Sequence, residues 1–371
     1  MKRKLTYYQV GDNYDTKDPV KKLAQKLAKT TSLNIKNLKY QEIASTRGES
    51  AFVLSPEGIV NAPSITTVVE SLGVKNLVAD EMRKITGKTY YDIVAYDTVA
   101  SVVNDLVTVG ARPLVVSAFW AIEHNKWLRD EKRLNDLMNG WKRAVDDAGA
   151  VWGGGETPTL RGLLRPGVVD LGGSATGLIF NKQNLITDSK LESGDRIVFI
   201  KSSGVNTNGI SLVRALAKKL EERYATKLKN GKFFGEVVLT KSNIYAKFVG
   251  ALLDKGVDIH YISNITGHGL RKVMRARPQF TYVIEKVFKP DEIFQFIQEK
   301  TKLSDQQMYQ TFNMGQDYAI FVDKKDINKI KNTAAKFKFT SLDAGYIESG
   351  KRQTVIKPKN ITFSSATLDL R

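Results

Sequence analysis

The sequence predicts a two-domain protein of mixed α/β or α+β architecture, and three observations carry that expectation. The chain has 371 residues, enough for two domains with cores of their own. Strand-like and helix-like segments alternate through both halves. A polar break from Asn181 to Asp195, ending Ser193-Gly194-Asp195, separates the halves and places one domain over 1–181 and the other over 182–371.

The elements follow in order. Pro19–Lys29 has helical spacing, and Ser55-Pro56-Glu57-Gly58 marks a turn within a strand-rich stretch. The β-branched run Ile65–Val69 predicts a strand ending at Glu70, and Lys75–Lys84 a helix. Ile93–Ala111 is long enough for a helix, yet its only charged residues are Asp97 and Asp105. A surface helix would carry Lys, Arg or Glu on its wet face, so this one is expected to be buried on most sides. Leu114–Ile122 reads as an apolar strand, the region around Leu134–Ala148 as an amphipathic helix, and Val168–Phe180 as a strand. The second half opens on a strand at Arg196–Ile200. Helices near Ile210–Glu222 and Leu239–Leu253 follow, with strands at Phe280–Ile284, Tyr318–Val322 and Thr354–Ile356. The lysine-rich run Lys324–Lys338 fits the solvated face of a helix.

Composition excludes several classes of function. No cysteine is present, which rules out disulfides, thiolate metal sites and cysteine nucleophiles. No stretch reaches the ~18 apolar residues of a membrane span, and the basic opening has no apolar run behind it, so neither a membrane anchor nor a signal peptide is expected. A cytoplasmic protein is the expectation. The net charge of +18 raises the question of nucleic acid. Lysines outnumber arginines more than two to one and are spread along the chain, without a zinc finger or an arginine-rich arm. No specific nucleic-acid partner is expected; a positive field also suits small polyanions.

The chemistry concentrates in the uncharged helix and in Gly-rich segments. At about 100° per residue, Asp97, Ser101 and Asn104 fall nearly in line, with Asp105 about 80° from Asp97. Buried carboxylates without a cationic neighbour are costly unless compensated, and hard cations such as Mg²⁺ take oxygen ligands. A helix cap plus one chance aspartate is the plainer alternative. Four segments read as Gly-rich turns. Glu70–Lys75 offers Gly73 for close backbone approach and Lys75 for phosphate, although a plain strand–helix turn would look the same. Gly153-Gly154-Gly155-Glu156-Thr157 spends backbone entropy that a mere connector rarely requires. Ser202–Gly209 and Asn264–Gly269 both have the character of anion nests, the latter carrying His268 among glycines. Neither a Walker A loop nor a Rossmann fingerprint nor a kinase signature is present.

Seven segments in order resemble one family, the phosphoribosylformylglycinamidine cyclo-ligases or aminoimidazole ribonucleotide (AIR) synthetases. They are Thr6–Asp12, Glu70–Lys75 (family D-G-V-G-T-K), Asp97–Leu106 (D-x-V-A-x-x-V-N-D-L), Gly154–Thr157 (G-G-E-T), Ser202–Arg214, Ile265–Leu270 (I-T-G-G-G-L) and Thr311–Gly315 (T-F-N-M-G). Each is weak alone; seven in the right order are specific. The resemblance implies an α+β fold in which the N-terminal sheet pairs with its twin into a β-barrel across a homodimer. It also implies a C-terminal α/β domain with a mixed sheet flanked by helices. The implied activity is ATP-dependent closure of formylglycinamidine ribonucleotide to AIR in purine biosynthesis. Glu70, Asp97 and Asp105 would hold Mg²⁺, and Lys75 would meet the ATP phosphates. Gly73, Asn104, Gly154, Gly155, Glu156 and Thr157 would line the nucleotide site. Ser203, Asn208, Gly209, Thr266 and Gly267 would shape the substrate side, with Lys75, His268 and Asn206 as the catalytic candidates. The chain departs from the family pattern at Glu70 (Asp), Val74 (Thr), Asn206 (His), Asn264 (His) and Ala118 (Asp). These changes also admit a paralogous ATP-dependent ligase or kinase acting on another small amide or amine. Related families that need a reactive cysteine or selenocysteine fit less well.

Overall fold

A computed structural model describes residues 14–368; the Thr6–Asp12 motif lies outside the described residues. The first half runs α1 (Tyr14–Thr30), β1 (Tyr40–Glu42), β2 (Phe52–Pro56), β3 (Ser64–Ser71), α2 (Asn76–Thr86), α3 (Tyr91–Leu106), β4 (Arg112–Ile122), α4 (Glu131–Ala148), β5 (Val151–Glu156) and β6 (Val169–Ile179). Its strands form one six-stranded sheet in the order β1-β2-β3-β6-β4-β5. The second half runs β7 (Arg196–Lys201), α5 (Ile210–Ala217), α6 (Phe234–Val238), α7 (Ala246–Asp254), β8 (Ile259–Asn264), β9 (Phe280–Ile284), α8 (Glu292–Thr301), α9 (Asp305–Tyr309), β10 (Gln316–Val322), α10 (Ile327–Lys336), β11 (Ser341–Ser349), β12 (Gln353–Ile356) and β13 (Ile361–Ser364). These strands build a seven-stranded sheet, β13-β12-β9-β11-β7-β10-β8, antiparallel except where β12 runs parallel to β9. Both halves are therefore mixed sheets with helices packed on them.

Helix α3 explains its own composition. Thirteen of its sixteen residues are buried, because β3 and β6 lie on one side, α4 on another, and Ser242–Tyr245 of the second half on a third. It ends through a short 3₁₀ turn into Gly110, whose φ of +83° only glycine adopts readily. Helix α4 begins where the Asp130 carboxylate accepts the Arg133 N–H at 3.2 Å. It can press against α3 because Gly140 has no side chain; a Cβ there would collide with the Asp92 backbone. Trp120, Trp141 and Trp152 meet at centroid distances of 5.5 to 6.1 Å and cement α4 to β4 and β5.

The first sheet covers only one of its faces. Val68, Val116 and Trp120 point inward and are buried, whereas Val69 is 76% and Phe119 41% exposed on the outer side. That outer face is open along β3, β6 and β4.

Two expectations are corrected. Gly153–Gly155 is not a turn but part of the edge strand β5, parallel to β4. The register shifts between Val116 and Ala118, so β5 carries an extra residue, and Gly154 absorbs the bulge at φ +97°. A side chain at Gly155 would strike the Ala118 carbonyl. The helix expected over Leu239–Leu253 forms only from Ala246, as α7, while α6 has already ended at Val238. Ahead of α7, Thr240–Tyr245 lend their backbone groups to the first domain instead of to a helical ladder.

Candidate functional site

The carboxylate of Asp97 does have a cationic neighbour, which corrects the premise that α3 buries unaccompanied charge. Lys75, just before α2, donates its ammonium to Asp97 Oδ2, and both side chains are fully buried. Lys75 Nζ also donates to the Thr240 carbonyl at 3.1 Å, and Asp97 Oδ1 accepts the Ser242 N–H at 2.7 Å. Asn104 is committed in the same way. Its amide donates to Asn243 O at 2.8 Å, accepts from Tyr245 N at 2.9 Å, and its backbone carbonyl accepts the Tyr318 hydroxyl. Ser101 turns back onto its own helix at Thr98 O. The stripe on α3 therefore bolts the second domain to the first. In this arrangement Lys75 is not presented to a phosphate, and neither oxygen of Asp97 is left for a metal.

The third loop joins the same network. Asn206, at φ +54°, donates to Asp317, whose other oxygen accepts the Tyr245 hydroxyl at 2.6 Å. Burial pushes the Asp317 carboxyl up to about 6, against the hydrogen bonds from Tyr245 and Asn206. Ser203 donates to Lys241 O at 2.7 Å. The Asn208 N–H closes a turn onto Val205 O at 3.3 Å. Gly209 heads α5 at φ +77°, and any side chain there would collide with Phe312. Asn206, Ser203 and Gly209 are thus placed as framework. Asp317 and Tyr245 escaped the sequence reading; one Asp inside the fully buried strand QDYAIFV was the available signal.

Two carboxylates remain for chemistry, Glu70 at the end of β3 and Asp105 near the end of α3. Loss of solvent and then the charge of Asp105 push Glu70 above the ordinary carboxylate range, even though the residue keeps part of its surface at the cleft. Asp105 is buried and accepts from Asn264 Nδ2 at 2.6 Å. Opposite them stands Lys272, buried, its ammonium donating to Thr266 Oγ1. Desolvation and Arg275 pull Lys272 down while Asp105 and Glu70 hold it up. The structure thus gathers Glu70, Asp105, Asn264, Thr266 and Lys272. The sequence reading missed Lys272 because a lysine among 57 basic residues carries no signal by itself. Its place inside the buried turn Gly269–Met274 is what sets it apart.

Among the described residues no three His, Asp or Glu side chains converge as a ready metal cage. The set Glu70, Asp97 and Asp105 does not fit one ion, because Lys75 and Ser242 occupy Asp97. Glu70 and Asp105 do fit, since Mg²⁺ is commonly held by one or two carboxylates with substrate phosphates supplying the rest. Asp105 adds to the rise of the Glu70 pKa, which places the two carboxylates near one another.

His268 follows Thr266 and Gly267 at φ +70° and is buried, with Asp18 of α1 3.5 Å from its Nε2. Burial, then Lys272 and Arg271, hold its pKa down to about 2, so the imidazole is neutral at neutral pH and offers no imidazolium acid. The unfolded chain takes up a proton near pH 6.5 that the folded chain refuses, so this group costs stability as pH falls below 6.5. His268→Asn, which tolerates the same backbone region, is expected to remove that slope. Relative to the variant, the parent protein should lose up to about 1.4 kcal/mol for each pH unit below 6.5. Urea unfolding of both proteins at pH 7 and pH 5 measures the difference.

Of the remaining predicted residues, those of the β5 end lie at the open sheet face. Gly154, Gly155, Glu156 and Thr157 are exposed, and Glu156 Oε1 accepts its neighbour's N–H at 3.1 Å. Gly155 and Glu156 join Glu70, Ser117, Asp170 and Ser174 around a cavity of about 770 Å³. Gly73, at φ +70°, lines a separate cavity beside α2.

Residues 50–179 match the family described as AIR synthase related protein, N-terminal domain, and residues 192–357 match its C-terminal domain. The chain is 34% identical over 298 residues to the phosphoribosylformylglycinamidine cyclo-ligase of Clostridium novyi, covering 80% of this chain and 85% of that protein. It is 29% identical over 363 residues to the protein of that name from Carboxydothermus hydrogenoformans, covering 95% and 98%. The solved structure of the hydrogenase maturation protein HypE in complex with ATP superposes with a TM-score of 0.55 at 15% identity, covering 81% of this chain and 83% of that one. At that identity the likeness is one of fold.

Proposed function

The chain belongs to the AIR synthase related family, and from that premise we propose that it closes formylglycinamidine ribonucleotide to AIR at the expense of ATP. The observation that carries this is the identity to cyclo-ligases of that name, 34% over 298 residues, spread across both domains. In the reaction the formyl amide oxygen takes the γ-phosphoryl group of ATP, the neighbouring amidine nitrogen attacks the activated carbon, and phosphate leaves with the oxygen as the imidazole closes. ADP is the other product.

Such chemistry needs positioning and charge neutralisation more than a strong base. Glu70 and Asp105 are the carboxylates that would hold Mg²⁺, which supplies positive charge at the phosphates when bound. Lys272 would add a fixed positive charge, and Thr266 and Gly267 would border the substrate. ATP as the nucleotide is supported by the HypE–ATP complex of the same fold. Gly154–Thr157, on the open sheet face, would meet it. That open face, with Val69 and Phe119 exposed, supports a homodimer in which two N-terminal sheets close into a barrel. A domain boundary at 181/182 is supported by its position in the connection between β6 and β7, the last strand of one sheet and the first of the other. No helix of the described residues is long and apolar enough to cross a membrane, and a cytoplasmic location accords with a purine-biosynthetic role.

The test is direct. Purified protein with formylglycinamidine ribonucleotide and Mg-ATP is expected to form AIR with one ADP released per ring closed. Tight ATP binding with no AIR formed would overturn the reading and leave a paralogous ATP-dependent ligase or kinase on another amide or amine.

A further inference from the structure

We propose that the cavity beside α2 is a second anion site, one that takes the phosphate of a ribonucleotide-type ligand. It encloses about 990 Å³, the upper end of the range for small-molecule pockets. Both domains build it: Gly73–Leu77 and α2 from the first, α5 and the turn after it from the second. Seven Lys and Arg side chains line it against three carboxylates, Asp80, Glu81 and Asp170.

The cations divide into two groups. Arg83 is spent on Asp130, to which both of its terminal nitrogens donate. Arg133 lies 3.6 Å from Asp130 and stacks over Trp127 at 4.1 Å, and Lys84 donates to Glu81 at 2.6 Å. The other four, Arg165, Arg214, Lys218 and Arg223, form no ion pair with a carboxylate among the described residues. Lone surface lysines would be unremarked in so basic a chain. These four come from three separate segments and converge on one concavity, and the turn that carries one of them is fixed by packing. Arg223 adopts φ +51° on a turn anchored by the neighbouring Tyr224 ring, which is buried and stacked on Phe234. Arg214 lies near enough to the Tyr224 hydroxyl for its charge to oppose the burial that raises that group's pKa. Gly73 completes the wall with backbone that nothing covers. Arginines converging in this way without carboxylate partners match a phosphate dianion, to which they can donate in pairs.

Asp170 lines this cavity and also the one that holds Glu70 and Glu156. A ligand anchored by its phosphate at the arginines can therefore extend toward the carboxylate pair. The anion site follows from charge and shape alone; only the ribonucleotide body rests on the cyclisation reading.

The probe is ribose 5-phosphate, with ribose as control, titrated calorimetrically into the full-length protein and into Arg165→Ala and Arg214→Ala/Lys218→Ala. The parent should bind ribose 5-phosphate and not ribose, more weakly as salt rises. Each variant should lose about tenfold or more, the scale of a charge-assisted hydrogen bond, with Mg-ATP affinity and melting temperature unchanged. Where cyclisation is active, KM for the phosphorylated substrate should rise with kcat nearly constant. No binding to the parent, affinity unchanged in the variants, or an equal loss of ATP affinity would each overturn the proposal. Loss of ribose 5-phosphate binding in a protein that never forms AIR would sustain this site and reject the cyclisation.

Discussion

Replacing Lys75 by methionine is expected to destabilise the protein by about 3–5 kcal/mol, the cost of leaving one partner of a buried ion pair behind. The size follows from where the pair sits. Both side chains are fully buried, so Asp97 in the variant could neither reach water nor find another cation. It would keep only the Ser242 N–H at 2.7 Å. The pair also joins the two domains, since Lys75 donates to Thr240 O, so the loss should loosen the interface as well as lower the stability. A double-mutant cycle separates the two effects. Asp97→Asn retains an acceptor for Ser242 without a charge, and Lys75→Met/Asp97→Asn should recover at least half of the loss. Urea unfolding of the four proteins measures it. A Lys75→Met protein within 1 kcal/mol of the parent (about the worth of an exposed pair) would show that Lys75 is free to leave Asp97 and serve a phosphate.

How far the sequence could be read turns on the same helix. The missing Lys, Arg and Glu between Ile93 and Ala111 correctly announced burial, because periodicity and charge are local properties of the chain. What buries the helix was not legible. Lys75 lies 22 residues from Asp97, and Ser242 lies 145 away, and no spacing rule encodes a contact between domains. The glycines at 153–155 misled in the opposite sense. Glycine signals a turn by its freedom, but here it serves close strand packing against Ala118 and a bulge. His268 looked open among glycines, and α1, more than 200 residues earlier, brings Asp18 against it. Most strands and helices followed from local pattern, whereas the grouping of Glu70, Asp105 and Lys272 depends on how two domains meet.

Asp105→Asn is expected to abolish the Mg²⁺-dependent part of ATP binding while leaving the fold intact. The substitution is nearly isosteric, and an asparagine oxygen can still accept from Asn264 Nδ2, which now bonds Asp105 at 2.6 Å. What disappears is one of the two charges that fit a divalent cation, and a single carboxylate holds Mg²⁺ poorly when water competes. In calorimetric titrations, ATP affinity of the variant with Mg²⁺ should fall to the value the parent shows in EDTA. Turnover should drop on the order of a hundredfold, the scale of one electrostatic stabiliser lost from a transition state. A second readout needs no nucleotide. Loss of solvent and then the charge of Asp105 raise the pKa of Glu70, so the folded parent holds the Glu70 proton at pH values where the unfolded chain has released it. Stability from this group therefore falls as pH rises through and beyond the ordinary carboxylate range. With Asp105 neutral, the part of the shift that its charge adds should go, so that decline should become shallower while the larger part from loss of solvent remains. Unchanged ATP affinity with Mg²⁺ would remove Asp105 from the metal site; a shallower pH profile beside it would still place the two carboxylates together, with Lys272 as the cation they share.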